Sequence, residues 1–268
     1  HSPLRYAWDQ QVQYLREHSL SRGPRSWVLR LLLHWLRIWD VRTAPGVDHF
    51  LANSRFVARR IRKVYRREAR VIHPPVNTDA FQLQTDKKPY FLAASRLVPY
   101  KRVDLIVEAF SKMPERRLIV IGDGPERKRI ESLAGSNVSI LGYQPPETLQ
   151  HHMGLASAFI FAAEEDFGIL PVEAQACGTP VIAYGRGGIL DSVVNLGQKD
   201  PTGILFTEQS IDSLIDAISI FEDQRDAFLP NVIRRNALRF GEERFRKEIS
   251  DFVSKCYHEF KASFDDNR

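Results

Sequence analysis

The sequence predicts an α/β protein built around a doubly wound parallel sheet. From Lys88 onward, short apolar runs alternate with amphipathic stretches, which is typical of successive βαβ units. Turn-forming residues stand between each apolar run and the amphipathic stretch that follows it, as at Gly122 to Pro125. Six such units form one doubly wound domain, and its ligand is expected outside the carboxyl ends of the strands.

The predicted elements follow one another regularly along this region. Strands are predicted at residues 90–94, 118–121, 138–141, 158–161, 180–183 and 203–206. Helices are predicted at residues 103–112, 126–134, 146–153, 170–176, 189–194 and 211–221, with two more near 231–240 and 242–260. Residues 1–85 show no such alternation and are interpreted mostly as helix and loop.

The composition is that of an ordinary globular protein, with 43% hydrophobic and 26% charged residues, which excludes a disordered or fibrous chain. The net charge of +5 and the pI of about 9.2 suit an anionic partner, although a solvated basic face explains them equally well. Cys177 and Cys256 stand far apart without a CxxC pair. They predict neither a disulfide framework nor a zinc site, and they fit a reducing compartment.

The amino-terminal region has features of its own. The chain begins with His1 rather than Met, and we expect a fragment or a processed form. Residues 22–42 interleave Arg with Trp and Leu, and the apolar run 27–39 is too short and too charged to span a bilayer. The segment is predicted either to pack on a core with its arginines at the rim, or to lie on a membrane surface as an amphipathic helix.

Basic and glycine-containing motifs follow the first three predicted strands. Arg96 and Lys101 follow the first strand, where cations beside a helix N-terminus favour an anion such as phosphate, or form a plain basic surface cluster. Gly122 opens a Gly-Asp-Gly-Pro turn after the second strand and permits close backbone approach. Gly142 and Tyr143 follow the third strand. They either flank a nucleotide base or form a simple turn.

The segment after the fourth strand is the most informative one. Glu164, Glu165 and Asp166 stand at the end of this strand, and Gly168 precedes a helix whose first amides can hold a diphosphate. Glu173 lies about one turn inside that helix, where a carboxylate can accept hydrogen bonds from ribose hydroxyls. Helix capping explains the first acidic residues. It does not explain the combination of the glycine, the apolar run and Glu173.

In this order, the motifs resemble those of family 4 glycosyltransferases of the GT-B fold, within their mannosyltransferase-like branch. The resemblance covers nearly the whole chain, and its most specific pieces are Ser95-Arg96-Leu97 with Lys101, Gly122-Asp123-Gly124-Pro125, and Glu165 with Glu173 around Phe167-Gly168. It implies three parts. Residues 1–85 would be the end of an acceptor-side domain, residues 86–228 a Rossmann-like nucleotide-sugar-binding domain, and residues 229–268 helices that return toward the first domain.

The resemblance also implies roles for individual residues. Arg96 and Lys101 would neutralise the leaving diphosphate. Glu165 would hold hydroxyls of the donor sugar, and His1 matches the position of the family's cleft histidine. Four residues would bind the donor diphosphate as well: Phe167, Gly168, Ile169 and Leu170. Four residues would contact the nucleotide: Glu173, Gly142, Tyr143 and Gly122. Glu173 would make its contact through the ribose.

The resemblance implies a retaining glycosyltransferase that moves a sugar, with mannose favoured, from a nucleotide diphosphate sugar to a glycan or lipid-linked acceptor in polysaccharide biosynthesis. GDP-mannose is the favoured donor and UDP-sugars are close rivals. The resemblance implies no metal cofactor, and we expect no nucleic-acid partner and a cytoplasmic location. Contact of residues 22–42 with the inner face of the membrane is the alternative to their packing on a core. Two alternatives stay open: a non-catalytic nucleotide-sugar-binding fragment, and a GT-B-fold sugar-nucleotide epimerase.

Overall fold

The computed structural model describes residues 3–9 and 23–265, except for the side chains of Tyr6 and of residues 263–265. The chain divides into two compact units, one formed by His1–His73 with Ile249–Arg268 and the other by Pro74–Glu248. Each unit has its own parallel sheet.

The second unit is built on a six-stranded parallel sheet, which confirms the predicted α/β class. Its strands are β3 (Lys88–Ala94), β4 (Leu118–Ile121), β5 (Val138–Ile140), β6 (Ala156–Phe161), β7 (Val181–Tyr184) and β8 (Gly203–Phe206). Their spatial order is β5-β4-β3-β6-β7-β8. The chain therefore builds outward in both directions from the neighbouring strands β3 and β6, and ligands of doubly wound sheets bind at such a switch point.

Helices connect these strands. They are α4 (Val103–Ser111), α5 (Arg127–Leu133), α6 (Pro146–Leu155), α7 (Ile169–Ala176), α8 (Ile189–Ser192), α9 (Ile211–Asp223), α10 (Pro230–Leu238) and α11 (Glu242–Asp265). The predicted bounds of strands and helices agree with these within two residues, except that α11 extends five residues beyond its predicted end. Proline opens α6 and α10, where its missing N–H costs no helical hydrogen bond.

The apolar runs in the sequence are continuous because the sheet is buried on both faces. In β3, Phe91 and Ala93 pack into the core on one face, whereas Leu92 and Ala94 pack into the core on the other. All four side chains are at most 5% exposed. Burial on both sides removes the alternation of polar and apolar residues that a half-exposed strand shows.

Lys87 ties the start of this sheet to two other elements. Its Nζ donates to the carbonyl oxygen of Gly154 at 2.7 Å, to that of Cys177 at 3.3 Å and to Oγ1 of Thr179 at 2.8 Å. Burial lowers the pKa of Lys87 to about 8, so the side chain is still mostly protonated at neutral pH. This cation therefore joins β3 to the end of α6 and to the turn after α7.

We expect Lys87→Met to lower the free energy of unfolding by about 1–3 kcal/mol, because three acceptors lose their donor. Urea denaturation followed by circular dichroism measures this change. Lys88→Met is the matched control, since Lys88 is the adjacent residue and is exposed. Equal stability of the two variants would show that the hydrogen bonds of Lys87 make no net contribution to the free energy of unfolding.

The first unit contains a pair of short parallel strands, β1 (Phe50–Ala52) and β2 (Ala69–Val71), joined through α3 (Arg55–Tyr65). The sequence interpretation of residues 1–85 as mostly helix and loop missed them, because three residues are too few to show a strand period. Ser54 caps α3 by accepting a hydrogen bond from the backbone N–H of Val57 at 3.1 Å. This element order is a single βαβ unit.

The other helices of the first unit are α1 (Arg5–Trp8) and α2 (Pro24–Thr43). Asp40 near the end of α2 accepts hydrogen bonds from Nε1 of Trp8 at 2.8 Å and from the Tyr65 hydroxyl at 2.9 Å. These bonds connect α1, α2 and α3 around one buried carboxylate. No helix within residues 3–9 and 23–265 combines the length and apolar character needed to cross a bilayer.

The boundaries of the two units differ from the boundaries at residues 85 and 228 that the sequence suggests. Residues 74–85 run along the second unit, where Val76 N–H donates to the Phe240 carbonyl and Gln84 N–H donates to the Cys177 carbonyl. Helix α10 also belongs to this unit, because Asn236 donates to Oε1 of Gln175 at 2.7 Å. Backbone pairing with partners far along the chain decides the boundary, and it is not visible in local composition.

Candidate functional site

The switch point of the second sheet brings a lysine and a glutamate together. Lys101 lies in the loop after β3 and Glu165 lies in the loop after β6, 64 residues apart in the sequence. Nζ of Lys101 forms an ion pair with Oε1 of Glu165, and their side chains are only 14% and 19% exposed. Two residues that the sequence singled out separately therefore form one polar centre at the carboxyl edge of the sheet.

The loop after β7 supports the backbone around Glu165. Gly188 N–H donates to the Glu165 carbonyl at 2.8 Å. A Cβ on Gly187 would lie 2.4 Å from the Glu165 carbonyl oxygen, and a Cβ on Gly188 would lie 2.1 Å from that of Asp166. These glycines allow the two loops to pack directly against each other, and this contact fixes the chain that carries Glu165.

Helix α7 starts immediately after this loop. Gly168 precedes it with a φ of +87°, a conformation that glycine adopts without strain. No side chain described by the structure caps this helix, whose positive dipole end begins directly after the loop that carries Glu165. Phe167 is buried against Phe240, with ring centroids 5.4 Å apart, whereas Ile169 is 46% exposed. The phosphate-binding role predicted for residues 167–170 therefore falls to their backbone, and it stays a prediction.

Glu173 lies four residues inside α7, on the same helix as these amides. The side chain is half-buried, and burial raises the pKa of this carboxyl group. Among the residues that the structure describes, no side chain donates a hydrogen bond to it. Hydrogen bonds from a pair of neutral hydroxyl donors, as on a ribose, stabilise a partly desolvated carboxylate of this kind.

Arg96 and the glycine motif after β4 lie next to each other. Leu97 N–H donates to the Asp123 carbonyl at 2.9 Å. A Cβ on Gly122 would lie 1.8 Å from the Ser95 carbonyl oxygen. Packing against the loop after β3 therefore already explains Gly122, while its predicted nucleotide contact stays a prediction. The Arg96 side chain is exposed, and no carboxylate in the described ranges pairs with it.

The remaining predicted residues are less informative. Gly142 has a φ of +70°, and its carbonyl accepts a hydrogen bond from Gly122 N–H at 2.8 Å. Tyr143 is 76% exposed after β5, the edge strand of the sheet. Their predicted contact with a base is neither supported nor contradicted by this geometry. His1 lies outside the described residues.

Among the described residues, one cluster of side chains that could hold a metal ion lies in the first unit. His49, Cys256 and Glu259 place their ligand atoms within 4.8 Å of one another, and they form the only such group in the part of the chain that the structure describes. None of them belongs to the Lys101–Glu165 centre. The expected metal independence of the reaction stays a prediction.

Comparison with known proteins gives the family. The model of the family described as glycosyl transferases group 1 matches residues 76–239, which is more than half of the chain. The chain belongs to the group 1 glycosyltransferases. The matched region includes β3 to α10, and so contains the Lys101–Glu165 centre, α7 and Glu173.

Curated relatives of this glycosyltransferase chain agree with that assignment. A D-inositol 3-phosphate glycosyltransferase of Mycobacterium bovis is 30% identical over 84% of this chain and 52% of its own length. A GDP-mannose-dependent α-(1-6)-phosphatidylinositol monomannoside mannosyltransferase of Mycobacterium tuberculosis is 29% identical over 57% of this chain and 46% of its own length. The chain spans about half the length of these relatives.

Solved structures confirm the GT-B type of fold for the group 1 chain. A sucrose-phosphate synthase of Thermosynechococcus elongatus superimposes with a TM-score of 0.75 at 22% identity, over 84% of this chain and 62% of its own. The Anabaena protein HepE in complex with UDP and glucose superimposes with a TM-score of 0.68 at 19% identity, over 81% and 67% of the two chains. At such identities the likeness concerns the fold alone.

Proposed function

We propose that this chain binds the nucleotide-sugar donor of a retaining glycosyltransferase, which transfers mannose to a glycan or lipid-linked acceptor. The observation that carries the proposal is the Lys101–Glu165 pair, which stands at the switch point beside the uncapped start of α7. A cation and free helix amides suit a diphosphate, and a carboxylate suits sugar hydroxyls.

In the proposed reaction, the bond between the anomeric carbon and the diphosphate oxygen breaks, and negative charge develops on the diphosphate. Lys101, Arg96 and the first amides of α7 stabilise that charge, and this stabilisation is greatest in the transition state. Glu165 accepts hydrogen bonds from the sugar and keeps the reacting carbon in place, while Glu173 accepts those of the ribose. The acceptor hydroxyl oxygen then bonds to the anomeric carbon, and its proton passes to the diphosphate oxygen that has left that carbon.

GDP-mannose is the proposed donor because one relative is named as GDP-mannose-dependent. UDP-sugars remain rivals because a neighbour in the structural comparison carries UDP and glucose. The test is calorimetry with GDP-mannose, UDP-glucose and ADP-glucose in the presence of a chelator. Preferential binding of GDP-mannose supports the proposal, and binding of none of the three refutes it. Binding followed by no transfer to any acceptor would favour the second candidate, a non-catalytic nucleotide-sugar-binding chain.

We further propose that α2 contacts an anionic membrane surface, with the protein at the inner face of the cytoplasmic membrane. Apolar side chains on this helix are widely exposed: Trp27 77%, Leu31 58%, Trp35 62% and Trp39 60%. Arg25, Arg30 and Arg42 are exposed on the same helix. Residues 1–73 hold 15 Lys and Arg against 5 Asp and Glu, although the whole chain has a net charge of only +5. Anionic lipid complements both properties.

We expect sedimentation with vesicles that contain phosphatidylserine, and little with pure phosphatidylcholine. Trp27→Gln combined with Trp35→Gln should weaken this binding by about tenfold or more, because two large apolar groups no longer enter the interface. Leu229→Gln is the matched control, since Leu229 is 57% exposed in the second unit. Equal sedimentation of the variant and the unsubstituted chain would refute the membrane role of α2.

A further inference from the structure

Arg102, the residue after Lys101, has an unusual backbone conformation. Its φ is +53°, in the left-handed region, which is strained for a residue other than glycine. The Arg102 side chain makes two polar contacts. Its Nε donates to Oδ1 of Asp104 and its Nη1 donates to Oε1 of Gln209, both at 3.3 Å. The guanidinium thus reaches a residue more than 100 positions away in the sequence.

Gln209 continues this connection to β6. It lies in the loop between β8 and α9, and its Nε2 donates to the carbonyl oxygen of Ala162 at 2.7 Å. Ala162 directly follows β6, three residues before Glu165. One amide side chain thus joins the loop that carries Lys101 to the strand end that leads to Glu165. We call this pair of contacts the Arg102–Gln209 bridge.

Asp104 anchors the other end of the bridge. Its side chain is 14% exposed, and its Oδ2 accepts from Nη2 of Arg129 at 3.2 Å. Arg129 in turn donates to Oε2 of Glu126 at 2.7 Å. Helix α5 therefore holds Asp104, and Asp104 holds the guanidinium of Arg102. A guanidinium held on two sides in this way has little rotational freedom, and a peptide bond joins the backbone of Arg102 to that of Lys101.

We propose that Arg102 and Gln209 are positioning residues of the donor site. They hold the loops of Lys101 and Glu165 at the separation that the diphosphate and the sugar require. This inference rests on the proposed function, and neither residue needs to touch the donor. Local sequence does not indicate this role, because Gln209 belongs to no motif and meets Arg102 only through the fold.

Two variants test the bridge, and one has a matched control. Arg102→Gly removes the guanidinium, while glycine keeps the left-handed conformation without strain. Gln209→Met removes both amide hydrogen bonds at a similar side-chain volume. Arg66→Gly is the control for the first variant, because Arg66 also has a left-handed φ, of +57°, and belongs to the first unit. The measured quantity is the affinity for GDP, GDP-mannose and UDP-glucose by calorimetry.

We expect each bridge variant to bind the preferred nucleotide about five- to tenfold more weakly, because each variant loses the hydrogen bonds of the bridge. Because both residues form one bridge, the double variant should bind about as weakly as either single variant. In a Lys101→Ala background, Arg102→Gly should weaken GDP binding no further, which a merely structural role would not produce. Arg66→Gly should bind with unchanged affinity.

The inference is overturned if both bridge variants bind with unchanged affinity, or if Arg102→Gly is equally harmful in the Lys101→Ala background. If the unsubstituted chain binds no nucleotide at all, the proposed function is refuted together with the inference. If the unsubstituted chain binds and the bridge variants bind equally well, only the inference is refuted.

Discussion

Glu165→Ala is expected to lower the rate of sugar transfer by about a hundredfold or more, the usual cost of removing a group that stabilises the transition state. The affinity for GDP should not fall below that of the unsubstituted protein. The carboxylate of Glu165 pairs with Lys101 when no donor is bound, and it therefore competes with the diphosphate for that cation. Its removal frees Lys101 and costs only the contacts to the sugar.

The measurement is a transfer assay with the labelled donor, run beside GDP calorimetry on the same preparation. The chain spans about half the length of its relatives, so transfer is assayed on the longest form of the protein that its gene encodes. Glu164→Ala is the matched control, since Glu164 is the adjacent carboxylate and is similarly half-buried. If Glu165→Ala transfers sugar at an unchanged rate, Glu165 has no place in the reaction.

Lys101→Ala is expected to weaken binding of GDP and GDP-mannose by about 1–3 kcal/mol, or roughly five- to 150-fold in affinity. Two effects add here. The diphosphate loses a cation whose side chain is 14% exposed and poorly screened by water, and Glu165 is left in the same place without its partner. The repulsion between that carboxylate and the diphosphate makes the loss larger than the removal of a surface lysine would.

Calorimetry at two salt concentrations measures this change, because the affinity of the variant should depend less on ionic strength. Lys112→Ala is the control: Lys112 is an exposed lysine that follows the last residue of α4, at the opposite end of that helix from Lys101. GDP binding that is equal in Lys101→Ala and in the unsubstituted chain would remove Lys101 from the site.

The strand order was only partly predictable from the sequence. Apolar runs such as 118–121 and 158–161 predicted the strands because a strand buried on both faces needs no polar positions. The βαβ rhythm predicted that they are parallel. It did not predict that β3 and β6 are neighbours, since β4 and β5 intervene in the chain. Strands of three residues, as in β1 and β2, fell below the length at which any pattern shows.

The candidate site was also only partly predictable from the sequence. Arg96, Lys101 and Glu165 were visible in the sequence because each follows a predicted strand. Glu173 was visible because it lies about one turn inside the helix that follows the acidic segment. Gly122 was interpreted as a nucleotide contact, which stays a prediction, and the structure adds that a Cβ at this position would meet the carbonyl oxygen of Ser95. A glycine that permits backbone packing and a glycine that admits a ligand look the same in a sequence.

The sequence by itself determined the α/β class, the family resemblance and the segment from Glu165 to Glu173, because these depend on local pattern and spacing. Only the tertiary structure decided that Lys101 pairs with Glu165, and that Arg102 reaches Gln209 to join the two loops. The physical reason is that hydrogen bonds and ion pairs act over a few ångströms in space. Their partners here lie 64 and 107 residues apart, and the switch point of the sheet is what brings them together.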